Sequence, residues 1–444
     1  MQTDDHRLIY PAGVLMTHFL LFLYNCLVVP LLYLIAKVAS IVNPKIRQGM
    51  RGRRKVIKKI GENLRIVNNT SPKVWVHVSS YGEFLQVKSV LTELKELNPD
   101  LLIITSFFSP SGYNNTKIQP PIDFKCYLPF DSYFQAKKFI SMISPQVAVI
   151  VRHDIWPNFV WRLKQDKIPL ILIDASIPEK SFRLLPIVKG INRSLFNLFQ
   201  AILAISETEA KKLAPLVTDP SKISVVGDTK YDQVFVRSKK LDSIAALLEE
   251  PILKQKRIIV VGSSWQADED YLIPAFRQLR ETFDDLIMIL APHEPSPEHI
   301  KQLEFRLGQA QLTATRLSLF KPGQFDSHCL IIDQIGLLAN IYYLGKMAFV
   351  GGSFYSKIHN VLEPAVYGIP VLFGPKMTNS AEAQHLLSND AAILVKSTQE
   401  IVDAITNLLK NPELAKAYGD RAKQIVMQNV GSSEKIAKFL LPYL

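Results

Sequence analysis

From Lys73 onward, short runs rich in Val, Ile, Leu and Phe alternate with amphipathic stretches of helical spacing, and the alternation restarts once. Short apolar runs without polar alternation read as parallel strands buried on both faces, and parallel neighbours must be joined by crossovers that are usually helices. The first series of strands is expected at residues 74–79, 101–106, 147–151, 169–174 and 201–205, with helices over 82–97 and 134–142. The second is expected at 257–262, 286–290, 329–332, 347–350, 371–373 and 392–395, followed by helices from about Thr398. Residues 227–256 show no strand pattern and are Lys-rich, as suits an interdomain connection. The expected organisation is therefore a segment 1–42, an α/β domain over 43–226, a linker over 227–256 and a second α/β domain over 257–444. A content of 48% hydrophobic and 21% charged residues excludes a disordered chain.

The first 42 residues are of another kind. Residues 8–36 contain no Lys, Arg, Asp or Glu, and 12–36 supply the ~20 helical residues that a hydrocarbon core about 30 Å thick requires. Asp4 and Asp5 precede the stretch where a signal peptide would be basic, and no small-residue cleavage pattern follows it, so an uncleaved anchor is expected, single-pass or monotopic. The net charge of +12 is concentrated next to it: Lys45, Arg47, Arg51, Arg53, Arg54, Lys55, Lys58 and Lys59 account for eight charges and leave +4 for the rest. Such a run predicts that the domains lie in the cytoplasm and that residues 45–59 meet anionic lipid, rather than a nucleic acid. Cys26, Cys126 and Cys329 form no metal or disulfide spacing, and no metal cluster is expected.

Ligands of open parallel sheets bind beyond the carboxyl ends of strands, so three loops stand out. Ser80-Tyr81-Gly82-Glu83 places a carboxylate in the first turn of a helix. Pro292-His293-Glu294 follows the second domain's second strand. Gly351-Gly352-Ser353 is followed by His359-Asn360-Val361-Leu362-Glu363, where glycines permit close backbone approach, a helix N-terminus would attract phosphate, and His359 and Glu363 would share a face if the helix starts early. Taken singly, Glu83 fits a helix dipole, the glycines a turn and His359 a structural role.

Seven segments in order, HVSSYGEF, TSFFSPSGY, YLPFD, IWPN, GDTKYD, AFVGGS and HNVLEPA, make the chain resemble the 3-deoxy-D-manno-octulosonic acid (Kdo) transferases, from about Arg51 to the C-terminus. The resemblance implies a GT-B fold of two Rossmann-like domains facing a cleft behind an N-terminal anchor helix, in the bacterial inner membrane. It also implies an inverting glycosyltransferase with CMP-Kdo as donor, a lipid A precursor as acceptor, and neither cofactor nor metal. Glu83 matches the family's general base. Gly351, Gly352, Ser353, His359, Asn360 and Glu363 match the donor segment, and Lys230 a lysine that would balance the leaving phosphate. Arg152, Asp154 and Asn158 fall at the acceptor side.

The chain also departs from the family. Arg152-His153-Asp154 stands where the family has Glu-Thr-Glu, Asp174-Ala175-Ser176-Ile177-Pro178 where it has Asn-Ala-Arg-Leu-Ser, and Lys357-Ile358 where glycines precede His-Asn. Three alternatives stay open: a glycosyltransferase or sugar-nucleotide epimerase of the same fold with another donor, a catalytically retired homologue that binds lipid A, and a metal-dependent enzyme using Asp268-Glu269-Asp270.

Overall fold

The computed structural model describes residues 21–64, 71–177 and 186–444. The early part of the anchor stretch, with Asp4 and Asp5, and Pro178 of the second departure lie outside the described residues.

Two compact units result, one formed by the described residues up to Asp232 together with Gly431–Leu444, the other by Gln233–Val430. The first contains β1 (Lys73–Val78), β2 (Leu102–Phe107), β3 (Phe124–Tyr127), β4 (Val147–Val151), β5 (Leu170–Ala175), β6 (Ala201–Ala204) and β7 (Ile223–Val225). They form one parallel sheet in the order β3-β2-β1-β4-β5-β6-β7. The second contains β8 (Arg257–Ser264), β9 (Leu286–Pro292), β10 (Ala314–Arg316), β11 (Cys329–Ile331), β12 (Met347–Val350), β13 (Val371–Phe373) and β14 (Ala392–Leu394), in the order β10-β11-β9-β8-β12-β13-β14 and again parallel. Each unit is thus Rossmann-like, and each sheet reverses its winding once, between β1 and β4 and between β8 and β12.

The central strands β1, β4, β5 and β9 are buried at every position, as their continuous apolar runs require. Alternate residues pack into different cores: Val74, Val76 and Val78 against the helix Tyr81–Leu97, and Trp75 against Phe139 and Phe159 on the other face. The strands β3, β7 and β10 escape the sequence pattern. They are three or four residues long, and β7 and β10 are not fully buried.

Two boundaries differ from those expected from chain order. Residues 227–256 fold into the helices Thr229–Ser238, Ala245–Leu248 and Pro251–Gln255, and the division between units falls within the first of these. The last helix, Ser432–Leu440, returns to the first unit, where Ile436, Ala437 and Leu440 join the core beside the helix Tyr81–Leu97. Asp232 fixes this return by accepting the amides of Gly431 (2.8 Å) and Ser433 (3.3 Å).

The N-terminal helix Leu21–Val42 is long and apolar enough to cross a membrane, and its most apolar stretch is unburied. Yet it is tied to the first unit near its start. The Tyr24 hydroxyl donates to Asp131 (2.7 Å), Asn25 Nδ2 donates to Asn158 Oδ1 (2.8 Å), and the Tyr133 amide donates to Asn25 Oδ1 (3.1 Å). At Asn43 the chain turns into the helix Pro44–Arg53, whose first amides Asn43 caps, and packs back along the first helix. Arg53 then donates through Nε to the Leu128 carbonyl (2.9 Å). The result is a helical hairpin rooted at both ends on the loops after β2, β3 and β4, with Ile41 (69% exposed) and Val42 (83%) at its tip.

Candidate active site

At the reversal point of the first sheet, the loops after β1 and β4 bring together Glu83, His77, Arg152 and Asp154. Ser80 caps the helix Tyr81–Leu97 by accepting the Glu83 amide (3.4 Å), which places Glu83 in the first turn. One carboxylate oxygen of Glu83 accepts the Ser79 amide at 2.6 Å. Burial pushes the Glu83 carboxyl up and Asp154 adds to this, against the Ser79 amide, Arg152 and His77; the net direction is upward. A carboxylate with raised proton affinity at a helix start is suited to taking a proton from a hydroxyl.

His77 lies one strand step behind. Its Nδ1 is 2.9 Å from Ser106 Oγ and its Nε2 3.0 Å from Asp154 Oδ2. Ser106 Oγ already accepts the Trp75 indole N–H at 2.8 Å. We assign a proton to Nε2, because a bare nitrogen there would face the Asp154 carboxylate. Burial opposes the charge on Asp154, but His77, Trp156 and His153 together outweigh it and hold that carboxyl below its usual range. Asp154 thus stays anionic while its neighbour Glu83 is pushed toward a proton.

Arg152 occupies a left-handed backbone position (φ 62°), as does Asp174 (φ 49°) at the end of the adjacent strand. Its guanidinium, only 15% exposed, donates to Gln86 Oε1 (2.9 Å) and Ser176 Oγ (3.4 Å) and lies 3.9 Å from Asp228. Buried Asp174 accepts both the amide and the hydroxyl of Thr229. Burial, with Asp228 close by, pushes its carboxyl up to about 7. Lys230 also belongs to this unit, its amide bonded to Asp228 Oδ1 (2.9 Å) and its Nζ 4.0 Å from Asp228 Oδ2. Within the first unit Lys230 thus stands beside Asp228, which Arg152 also approaches. Asn158 plays a structural part instead. It is buried, its amide and side chain bind Asp131, and its carbonyl oxygen accepts from Asn25.

In the second unit the reversal point between β8 and β12 holds the other predicted set. A Cβ on Gly351 would lie 2.4 Å from the Ser263 carbonyl oxygen, and one on Gly352 (φ 81°) 2.1 Å from the Lys357 carbonyl oxygen, so both glycines are required by close backbone approach. Ser353 is buried between the Val350 carbonyl (3.0 Å) and the Gly374 amide (2.8 Å) and serves the loop itself. His359 Nε2 accepts the Trp265 indole N–H at 3.0 Å, its ring stacks on His293 at 4.2 Å, and Trp265 stacks on Tyr355 at 4.8 Å. Burial and then His293 lower His359 to about 4, so it is a neutral ring. The helix after it, Leu362–Ala365, is a single turn, so His359 precedes it and shares no helical face with Glu363. Asn360 caps this turn through the Leu362 amide (3.1 Å). Glu363 lies 3.8 Å from Arg237, its carboxyl pushed up by burial with Arg237 opposing.

Sequence reasoning misses the role of Asp268. Its carboxylate accepts the amides of Trp265 (2.9 Å), Gly352 (2.8 Å) and Phe354 (2.9 Å), locking the glycine loop to the β8 loop. Asp270 instead bonds Arg306, and buried Glu269 accepts from Ser264, His299 and Arg306, so the three acids of this run point to different partners. Among the described residues no group of three potential metal ligands occurs. Replacing Asp268 by Ala leaves three amides without their acceptor and is expected to cost about 2–4 kcal/mol. Calorimetry on the full chain should then show the second unit melting at lower temperature, whereas an unchanged melting profile would mean that the loop holds itself.

Residues 50–233 match the family described as 3-deoxy-D-manno-octulosonic-acid transferase (kdotransferase). A protein of that name from Haemophilus influenzae is 24% identical over 425 residues, covering 94% of this chain and 96% of the relative. Another from Chlamydophila psittaci is 29% identical over 362 residues, covering 79% and 81%. The first unit thus carries a match to the Kdo transferase family model, and most of the chain is similar to Kdo transferases. That likeness indicates a glycosyltransferase, and the fold is GT-B. The UDP-GlcNAc 2-epimerase of Neisseria meningitidis superposes with a TM-score of 0.60 at 17% identity, over 83% of this chain and all of the other. MurG of Acinetobacter baumannii gives 0.53 at 12% identity, over 84% and 99%. At these identities the likeness concerns the fold alone.

Proposed function

We propose that this protein moves Kdo from CMP-Kdo to a hydroxyl of a lipid A precursor in lipopolysaccharide synthesis. The observation that carries the reading is the position of Glu83, raised in proton affinity by burial and set beside ionised Asp154 at the reversal point of the first sheet. Glu83 takes the proton of the acceptor hydroxyl as that oxygen bonds to the anomeric carbon of Kdo from the face opposite CMP. The bond from that carbon to the CMP phosphate oxygen breaks, CMP leaves with its electron pair, and the configuration inverts. Gly351 and Gly352 let the loop that carries His359 pack against the Ser263 and Lys357 backbone, and the Trp265–Tyr355 stack offers a flat surface for a nucleobase. Arg237 beside Glu363 supplies a cation on this unit.

The hairpin supports monotopic attachment to the inner membrane from the cytoplasmic side. A helix held to the catalytic unit at Tyr24 and returning to it at Arg53 dips its tip into a leaflet and does not carry residues 24–53 across. Lys45, Arg47 and Arg51 beside that tip meet anionic headgroups.

The test is incubation of the full chain with a CMP-Kdo-generating system and a tetraacylated lipid A precursor, read by mass spectrometry. Mass increments of whole Kdo units are expected, and EDTA should leave the yield unchanged, because Asp268 and Asp270 are engaged by backbone amides and Arg306. Inhibition reversed by magnesium would favour metal-dependent chemistry, and the absence of any Kdo adduct would overturn the reading.

A further inference from the structure

A groove of about 470 Å³ runs between the N-terminal helix and the loops after β2, β3 and β4, within the roughly 300–1,000 Å³ range of small-ligand sites. Its walls are apolar: Leu32, Ala36 and Ala39 on the helix face Phe108, Phe130 and Trp156 on the loops. Phe108 and Trp156 stack at 5.0 Å, and Tyr33 meets Phe130 edge-on at 5.2 Å. The hairpin holds the groove open because its hydrogen bonds to the domain are at the root, through Tyr24, Asn25 and Arg53, while small Ala36 and Ala39 stand at mid-helix.

Two observations identify the occupant. The outer side of the same helix exposes Leu31, Leu34 and Val38, and the tip exposes Ile41 and Val42, which places the groove's helix in acyl chains once it meets a bilayer. Next to the groove is a second hollow, of about 1230 Å³, walled by Lys37, Arg47, Arg51, Arg54, Lys55 and Lys58 with Glu62 as its acid. Met50, Arg53 and Phe130 line both hollows, so an apolar slot adjoins a strongly cationic one. A molecule matching that pair carries a hydrocarbon chain next to phosphate.

We propose that the groove takes one acyl chain of the phosphorylated glycolipid acceptor, withdrawn from the leaflet, while the cationic hollow holds its phosphate. This deepens the lipid-acceptor reading and rests on it. The loop forming one wall, Ser109-Pro110, also approaches the catalytic turn: a Cβ on Gly112 of the same segment would lie 3.2 Å from the Ser80 backbone. Seating the chain thus sets the acceptor's headgroup beside the turn that carries Glu83.

Ala36→Phe fills the groove, and Leu34→Phe enlarges the same helix at an exposed position outside it. In the full-length protein Ala36→Phe should raise KM for the tetraacylated precursor roughly tenfold, about 1.4 kcal/mol, and leave transfer to the deacylated, water-soluble saccharide unchanged. Leu34→Phe should change neither. An equal loss with both acceptors, or an unchanged KM for the acylated one, overturns the proposal. A second readout does not depend on transfer: a precursor brominated on its acyl chains should quench Trp156 fluorescence in the parent protein, and Trp156→Phe should remove that share of the quenching. Identical quenching in Trp156→Phe would equally sink the groove. If the parent protein moves Kdo to neither acceptor, the functional reading fails and the quenching result alone decides the groove.

Discussion

Glu83→Gln is expected to reduce the rate of Kdo transfer by ~10² to 10⁴, the range that a positioned general base contributes. The substitution keeps the shape and the bond that holds the side chain, because a glutamine carbonyl oxygen can still accept the Ser79 amide that now reaches Glu83 at 2.6 Å. What it removes is the capacity to take a proton. Melting temperature and donor affinity should therefore stay near those of the parent while turnover falls. The pH profile gives an independent check. The base works ionised, and burial pushes its carboxyl upward, so the parent rate should climb with pH through a point above the ordinary glutamate range. In Glu83→Gln that limb should vanish. A variant within about tenfold of the parent, or one that retains the limb, would assign the base to another group.

Much of this arrangement is legible in the residues, for identifiable reasons. Eleven of the fourteen strands announce themselves because a parallel strand under helices is apolar at every position. The strands β3, β7 and β10 are not legible, being three or four residues at sheet edges, where β7 and β10 bury little and Lys125 interrupts the buried run of β3. Glu83 and the paired glycines stand out because they follow strands, and a reversal point exposes the loops after strands. His77 is hidden by its surroundings: it sits inside a strand, flanked by valines, and its role emerges only when β1 pairs with β2 and β4 so that Ser106 and Asp154 reach its two nitrogens. Asp268 reads in sequence only as one acid of a run at a helix start. Its partners Gly352 and Phe354 lie 84 and 86 residues away, which no local pattern reveals. Asn158, within a recognisable segment, anchors the hairpin, because a motif identifies a segment without saying which of its side chains faces the site.

The two departures from the family pattern, Arg152 for a glutamate and Ser176 for an arginine, come together in space: the Arg152 guanidinium donates to Ser176 Oγ at 3.4 Å. The cation has not been lost from this corner but has moved from the loop after β5 to the loop after β4. Its surroundings explain why one must be present. Glu83, Asp154, Asp174 and Asp228 all face this space, and Arg152 helps lower the proton affinity of both Glu83 and Asp174. Arg152→Glu would add a fifth carboxylate while removing the cation, and a nearby opposite charge typically holds a carboxyl down by about one to three pH units. Because losing that shift raises the proton affinity of Glu83, a larger share of the base is protonated at neutral pH. Transfer at pH 7 should fall and recover as pH rises, the rising limb of the rate moving to higher pH by about the size of that shift. Ser176→Arg alone should crowd two guanidinium groups and also reduce transfer. The double variant Arg152→Glu with Ser176→Arg restores one cation facing the same acids from the neighbouring loop, and its pH limb should return toward that of the parent. Failure of the second substitution to recover any of the loss, with both proteins folded, would mean that Arg152 acts through its bonds to Gln86 and Ser176 in shaping the loop rather than through its charge on Glu83.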